Sequence, residues 1–363
     1  MSNNFYIDPD IRQAHTLPPS FYKDPAVFER IKTNIFLKSW QWIGDVQQVP
    51  MANSVAPFVL LPHFLNEPMV LSKDADEEIH CLSNVCTHRG FQVVQHPGKC
   101  RKLTCLYHGR RFKMDGSFEY MPEFKEAKDF PRPCDDLYRF PLEKWGPFLF
   151  AGLNPTFDLK QVFAKMEERV GFLPLEACVL DTSRSKDYLV HAHWALYCDN
   201  YLEGFHIPFV HNDLNDVLDY GAYKTEVYDY CNLQIGYTED AVDVFNFPEG
   251  HPDYGKNVGG YYYWVFPNMM FNFYPWGISV NIVKPIAPNR TRVSFLSYVY
   301  NEQKLGDGAG ADLDKVERED EFVVEGVNQG IQSAFYKAGR FSPKMEQGVH
   351  HFHRLLAQHV NDE

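Results

Sequence analysis

No stretch of this chain approaches the roughly 18 uninterrupted apolar residues that mark a membrane-spanning helix, so no membrane span is expected. Basic residues are outnumbered: 35 Lys and Arg face 48 Asp and Glu, a formal net charge of −13, which argues against nucleic acid as a partner. A G-x-G-x-x-G dinucleotide fingerprint is missing, which argues against a dinucleotide site of that type in this chain. The opening residues, MSNNFYIDPDIRQAH, show neither a basic stretch followed by an apolar run nor an Arg/Ser-rich transit composition. The expected location is therefore the bacterial cytoplasm. Internal repeats and low-complexity tracts are missing too. What is present is a globular composition, 45% hydrophobic and 23% charged, over 363 residues. That length exceeds one ordinary core, and two domains or one domain with an insertion are expected.

Eight cysteines occur, at 81, 86, 100, 105, 134, 178, 198 and 231. In a reducing compartment, such clustering suggests metal before disulfide. Residues 1 to about 35 read as mainly helical, with Asp24 and Pro25 as a helix start. From about 40 to 155 short β-type runs alternate with Gly and Pro, the texture of a small all-β module. After Pro155 the pattern predicts a helix near 158–169, long aromatic strands from 261 to 300, a helix from about 311 to 337 and a His-rich helical tail. The composition shift near 150–158 marks the expected boundary.

Inside the β-rich module stands Cys86-Thr87-His88, and sixteen residues later Cys105-Leu106-Tyr107-His108. Two thiolates and two imidazoles suit a structural zinc, usually spaced C-x2–4-C with H-x3–5-H. They also suit a Rieske [2Fe-2S] cluster, in which two Cys hold one iron and two His the other. Each loop here supplies one Cys and one His, so each loop tip has to reach both irons, which favours the cluster. Gly90 and Gly109 follow the loops where the backbone must turn tightly. Cys81 and Cys100 lie nearby and read as buried packing residues.

A second constellation surrounds residue 200, in HWALYCDNYLEGFHIPFVHND, which contains Asp199, Asn200, Glu203, His206 and His211. The two His are five apart, about 140° on a regular helix. Pro208 between them is expected to break the helix and let His211 swing back. Two His and one carboxylate with open positions form the facial triad of non-haem iron oxygenases. On a helical wheel of 311–337, Leu313, Val316, Val323, Val324, Val327 and Ile331 share one stripe with Asp320 at its centre. Glu317, Glu319, Glu321 and Glu325 fall at its edge or outside. A carboxylate on an apolar face is costly unless paired or metal-bound, so Asp320 is the expected third ligand.

Together these residues resemble the Rieske non-haem iron oxygenases, the aromatic-ring-hydroxylating dioxygenase α-subunit family, most of all its choline monooxygenase-like branch. DNYLEGFHIPFVH is similar to that branch's iron-binding helix, VFPNMMFNFYPWG to its pocket strand, and EGVNQG with YKAGRFSPKMEQGVHHFH to its C-terminus. The likeness runs from about residue 16 to 356. It implies an α+β chain: an all-β Rieske domain at 38–155, and a helix-grip (START/SRPBCC-like) catalytic domain with an antiparallel sheet from 1–37 and 156–363. It assigns Cys86, His88, Cys105 and His108 to the cluster, and His206, His211 and Asp320 to a mononuclear Fe(II). Glu203, with Asn200 beside it, becomes the catalytic candidate. The family places an acidic residue, more commonly Asp, three before the first iron His, where it bridges to a cluster His of the neighbouring subunit. Electrons would pass through His108, Glu203 and His206 of adjoining chains, which implies a homotrimer. Respiratory Rieske carriers often clamp their loops with a disulfide, but Phe91 and Tyr107 stand at those places here.

The resemblance further implies NAD(P)H electrons delivered by a separate flavin/iron-sulfur reductase, and O2 inserted into a C–H bond of a small molecule. Aromatic walls suit a quaternary ammonium by cation–π attraction. The expected reaction is therefore hydroxylation or N-demethylation of a choline-, betaine- or carnitine-type compound. Ring hydroxylation of an aromatic compound is the alternative, and a Rieske electron carrier without oxygenase activity the remote one. Which of Tyr261, Tyr263, Trp264, Phe271, Phe273 or Trp276 faces the cavity stays open at this point.

Overall fold

The structure is a computed structural model that describes residues 4–211, 219–238, 243–306, 310 and 313–361. The chain divides into two compact units, Leu37–Thr156 and Met1–Phe36 with Phe157–Glu363.

The Leu37–Thr156 unit is built of antiparallel sheets. Trp40–Asp45, Phe148–Gly152 and Leu142–Trp145 form one, in the order first, third, second along the chain. Ser54–Leu60, Glu67–Lys73 and Ile79–Ser83 form the centre of a five-stranded second sheet. Leu103–Thr104, Arg111–Phe112 and Phe118–Tyr120 form the third. Alternate apolar side chains of the last two sheets, among them Val70, Leu82, Leu103 and Phe112, close over a core that also contains Cys86 and Cys105. Each cysteine thus opens its loop directly after a β-paired residue, Val85 or Thr104, with its side chain in this core.

The second unit has a seven-stranded antiparallel sheet, ordered Val179–Val190, Arg290–Val299, Gly277–Ala287, Met269–Tyr274, Val258–Val265, Cys231–Tyr237, Lys224–Val227. Register sorts its side chains. Gln234 pairs with Tyr262, Tyr262 with Asn272, Trp264 with Met270, and Met270 with Asn281. These residues share one face. Helices Trp194–Tyr201 and Gln347–Asn361 cover it: Gln234 donates to the Tyr201 carbonyl at 2.7 Å, and Asn232 to the Gly348 carbonyl at 3.2 Å. At Gly348 a Cβ would stand 2.4 Å from the Leu202 carbonyl oxygen, so only glycine allows this close helix approach. Tyr261 and Tyr263 point to the other face, where Tyr263 meets the carbonyl of Lys165 in the helix Leu159–Val170.

Two helical expectations need correction. The N-terminal segment is helical only at Pro19–Lys23, Pro25–Ile31 and the π-turn Lys32–Phe36. Ahead of these, Asp8 and Asp10 side chains accept from the backbone two residues on, a turn geometry that competes with helix. The late helix spans Leu313–Gly330 and stops seven residues short of 337. Glycines at 326 and 330 weaken its last turn, and the Gln332 and Ser333 amides bond three residues back, closing it. Ile331 is buried beyond that end, whereas Val327, placed on the apolar stripe, is 45% exposed.

Candidate metal centres

In the Leu37–Thr156 unit two loops repeat one geometry. The Cys86 amide donates to the Phe91 carbonyl, and Gly90 N–H returns to the Cys86 carbonyl, both at 2.9 Å. In the second loop Cys105 N–H meets the Arg110 carbonyl at 2.8 Å, and Gly109 N–H the Cys105 carbonyl at 3.0 Å. Gly90 and Gly109 close these turns at φ of +72° and +70°, the left-handed region that glycine enters without strain. The turns bring Cys86 and Cys105 within hydrogen-bond reach of each other, and burial pushes the Cys86 thiol up from its ordinary pKa. The His88 and His108 rings stand 4.8 Å apart, and burial, followed by the neighbouring His108, holds His88 down.

Thiols pair with thiols and imidazoles with imidazoles. That arrangement fits two irons held by one sulfur pair and one nitrogen pair. A tetrahedral zinc would need all four donors about 3.3–3.8 Å apart. Among the described residues these four do not form a group whose ligand atoms lie within 4.8 Å of one another. Arg110, unremarked in the sequence although it follows Gly109 directly, is buried below the loop. Its guanidinium donates to the Asp135 carbonyl and carboxylate at 2.9 and 2.8 Å and lies over Phe112, Phe118 and Phe130.

Among the described residues, ligand atoms of His206, His211 and Asp320 do lie within 4.8 Å of one another. Asp320 Oδ1 lies 3.0 Å from His211 Nε2 and 3.5 Å from His206 Nε2, and the two Nε2 atoms are 3.2 Å apart. Pro208 does not break a helix here. Helix Trp194–Tyr201 ends at Leu202, and Pro208 sits in the first turn of a new short helix, Ile207–Val210, where its missing N–H costs nothing. His206 and His211 flank that short helix and so turn to one point. Residues 212–218, which follow His211, lie outside the described residues.

Each imidazole is fixed from behind. Glu203 Oε1 takes His206 Nδ1 at 2.6 Å and Glu319 Oε2 takes His211 Nδ1 at 2.7 Å. With Nδ1–H donating outward, both Nε2 lone pairs converge with a carboxylate, and that set calls for a cation. Without a metal ion the same carboxylates favour a proton on these nitrogens, for which a metal would compete. Burial pulls His206 down, but hydrogen bonds to Asp320 and Glu203 outweigh it and hold its pKa at about 9. Burial pulls Asp320 up, yet the two imidazoles keep it below the usual carboxylate range. Asn200 Nδ2 donates to Asp320 Oδ1 at 2.6 Å and sets the rotation of that carboxylate.

Glu319 escaped the sequence reading because it lies off the apolar stripe. Its one signal was its place directly before Asp320, about 100° round the helix and able to reach His211 from the other side. Glu319→Gln should weaken iron binding about 10–100-fold, the usual cost of losing an outer partner of a ligand imidazole, with the visible spectrum unchanged. Competition against a chelator measures this, and an unaltered midpoint would contradict the assignment. Asp199 also has a place: His353 Nε2 meets it at 2.8 Å and Tyr22 O–H donates to it at 3.2 Å, tying the N-terminal and C-terminal segments to the helix Trp194–Tyr201.

Next to the three-residue group lies a cavity of about 110 Å³. Its walls include Tyr201, Tyr223, Tyr262, Tyr274 and Phe295, with Gln234, Asn272 and Asn281 from the same sheet face. Of the six aromatics singled out in the sequence, none lines it; register turns Tyr261, Tyr263, Phe271 and Phe273 to the opposite face. Glu317 also lines the cavity, 2% exposed, with Tyr197 O–H bonded to its Oε2. The wheel placed Glu317 at the stripe's edge, but the helix buries it against the helix Trp194–Tyr201.

The Rieske [2Fe-2S] domain model matches residues 39–131, and the ring hydroxylating alpha subunit (catalytic domain) model matches 179–362. The chain is 28% identical to the carnitine monooxygenase oxygenase subunit of Escherichia coli (strain K12), over 100% of this chain and 98% of that one. It is also 28% identical to the chloroplastic choline monooxygenase of Beta vulgaris, over 96% of this chain and 78% of that one. The quaternary ammonium Rieske monooxygenase CntA in complex with L-carnitine superposes with a TM-score of 0.76 at 25% identity, covering 97% of each chain. No helix among the described residues is long and apolar enough to cross a membrane. The chain belongs to the ring-hydroxylating alpha-subunit family of Rieske oxygenases, enzymes that join a [2Fe-2S] domain to a catalytic domain with a mononuclear iron site.

Proposed function

We propose that this oxygenase acts on a small quaternary ammonium compound of the choline, betaine or carnitine type. The observation that carries the reading is the cavity beside His206, His211 and Asp320: it is aromatic-walled, and among the described residues no Lys or Arg lines it. Aromatic faces attract a desolvated cation by about 2 kcal/mol. At about 110 Å³ the space falls below the roughly 300 Å³ where sites for drug-sized ligands begin, which suits a compact headgroup better than fused rings. The relatives named for choline, carnitine and quaternary ammonium substrates support the same class.

In this reading His206 Nε2, His211 Nε2 and Asp320 hold the mononuclear iron, and Cys86, His88, Cys105 and His108 hold the cluster. The iron supplies O2 activation when bound. Glu203 and Glu319 keep each Nδ1 protonated so that Nε2 stays a donor, and Asn200 orients Asp320. The aromatic walls exclude water and present a C–H bond next to nitrogen. One oxygen atom enters that bond and the other leaves as water, with two electrons from a reductase and two protons; hydroxylation at an N-methyl then releases formaldehyde.

A homotrimer in the cytoplasm, fed by a separate flavin/iron-sulfur reductase, completes the proposal. Support comes from exposed apolar side chains in each unit: Leu106 and Tyr107 at the cluster loop, and Phe209 and Phe322, 78% and 81% exposed, beside the His206 segment. Each patch suits contact with another copy. The test is a panel of choline, carnitine, betaines and simple aromatic acids, with anaerobically purified protein, a surrogate reductase and NADH. Substrate-dependent oxygen uptake with aldehyde or formaldehyde from an ammonium compound is expected. Hydroxylated aromatic acids instead would overturn the substrate class.

A further inference from the structure

Among the acidic side chains of the helix Leu313–Gly330, Glu317 is the one that is fully enclosed. One of its oxygens accepts the Tyr197 hydroxyl, while the other, Oε1, is buried without a hydrogen-bond partner. Gln234 Oε1, across the same cavity, is also buried and unpartnered. Native structures leave few buried polar atoms unsatisfied, and those left over call for an explanation such as a missing ligand. Both orphans belong to residues lining a cavity that, among the described residues, no Lys or Arg lines. Burial holds the Glu317 carboxyl well above the usual carboxylate range, so it becomes an anion only with a cation beside it. Nor does Glu317 belong to the metal group, whose ligand atoms come from His206, His211 and Asp320.

We infer that Glu317 is the counter-charge for the substrate's cationic headgroup and sets the preference of this cavity for a permanent cation over a neutral molecule of the same shape. The inference rests on the quaternary ammonium reading above and names the residue that enforces it. A quaternary ammonium has no N–H to donate; its charge is spread over N-methyl C–H groups, which meet carboxylate or amide oxygens by weak C–H contacts and π faces by cation–π attraction. With the cation bound, Glu317 supplies the anion, and Tyr201, Tyr223, Tyr262 and Tyr274 supply the faces. Glu317 precedes Asp320 by three residues, on the same side of the helix and about 4.5 Å along its axis. A headgroup held there has its methyl and adjoining methylene carbons beside the metal ligands, where the C–H bond must lie. An anionic aromatic acid would meet Glu317 as a like charge.

The experiment compares tetramethylammonium, the headgroup alone, with tert-butanol, its neutral counterpart, by calorimetry on the iron-loaded protein and on Glu317→Gln. The variant keeps an acceptor for Tyr197 O–H, and its iron content and thermal unfolding are recorded alongside. Wild type should prefer tetramethylammonium, and Glu317→Gln should weaken that ligand about 10–100-fold, the worth of a contact to a charged group in a dry site, while tert-butanol binds as before or better. Equal binding of the two ligands by wild type overturns the inference whatever the variant does, and so does a parallel change of both in a folded, iron-loaded variant. Turnover separates this from the functional reading. Cation preference lost in Glu317→Gln without oxidation of any ammonium compound by wild type would sink the function and leave Glu317's role standing. Ammonium oxidation with an unchanged preference in Glu317→Gln would do the reverse.

Discussion

Asp320→Ala is expected to remove the mononuclear iron and abolish turnover while leaving the visible spectrum of the cluster untouched. Among the described residues Asp320 Oδ1 is the carboxylate oxygen that meets both Nε2 atoms, and its loss leaves two imidazoles 3.2 Å apart without that anion. The effect should exceed the about 10–100-fold that loss of an outer-shell partner costs, because a ligand is removed outright. Folding should survive, since the change takes away a buried charge and opens little volume on a helix anchored elsewhere by Val324 and Glu317. Iron counting and the absorption spectrum, taken together, check this. A variant that keeps its full iron content and turns over would show that the third ligand lies elsewhere.

Glu203→Gln is expected to act differently, through electron delivery. Glu203 holds His206 from Nδ1 and also accepts the amides of Phe205 and His206, so both its oxygens are committed to that turn. Glutamine can still accept from Nδ1 but brings no charge. Iron content should therefore stay near that of wild type. Reoxidation of the pre-reduced protein by O2 and substrate, followed at the visible band, should slow by about a hundredfold or more, beyond the range of an outer-shell loss alone. An unchanged reoxidation rate would confine Glu203 to holding the imidazole and remove it from the proposed path between subunits.

The candidate sites were legible where residue spacing is local and missed where packing decides. Cys86, His88, Cys105 and His108 stand in two short loops, so their pattern survives in one dimension, and Gly90 and Gly109 mark the turns. Asp320 stood out because a charge at the centre of an apolar stripe is an anomaly that a wheel displays. Glu317 and Glu319 could not, because a wheel assumes one buried face. This helix meets the helix Trp194–Tyr201 near Tyr197 on one side and His211 on another. The aromatic strands show a similar limit. Alternation states that every second residue shares a face, but the choice between Tyr261 and Tyr262 needs the register that pairs Tyr262 with Gln234 and Asn272. A usable signal was there: Gln234, Asn272 and Asn281 are polar residues within apolar strands, and they fall on the face that carries the site. Pro208 misled because its position was read within one helix, whereas the chain had already left that helix at Leu202.

The measurement that tests the account most directly is a joint count of iron and acid-labile sulfide in anaerobically purified protein, with the visible spectrum recorded on the same sample. Two irons with two sulfides at the Cys86–His108 loops, and a third iron that Asp320→Ala alone removes, are what two centres in one chain require. Zinc with no colour, or an iron count that stops at the cluster and is indifferent to Asp320, would contradict it.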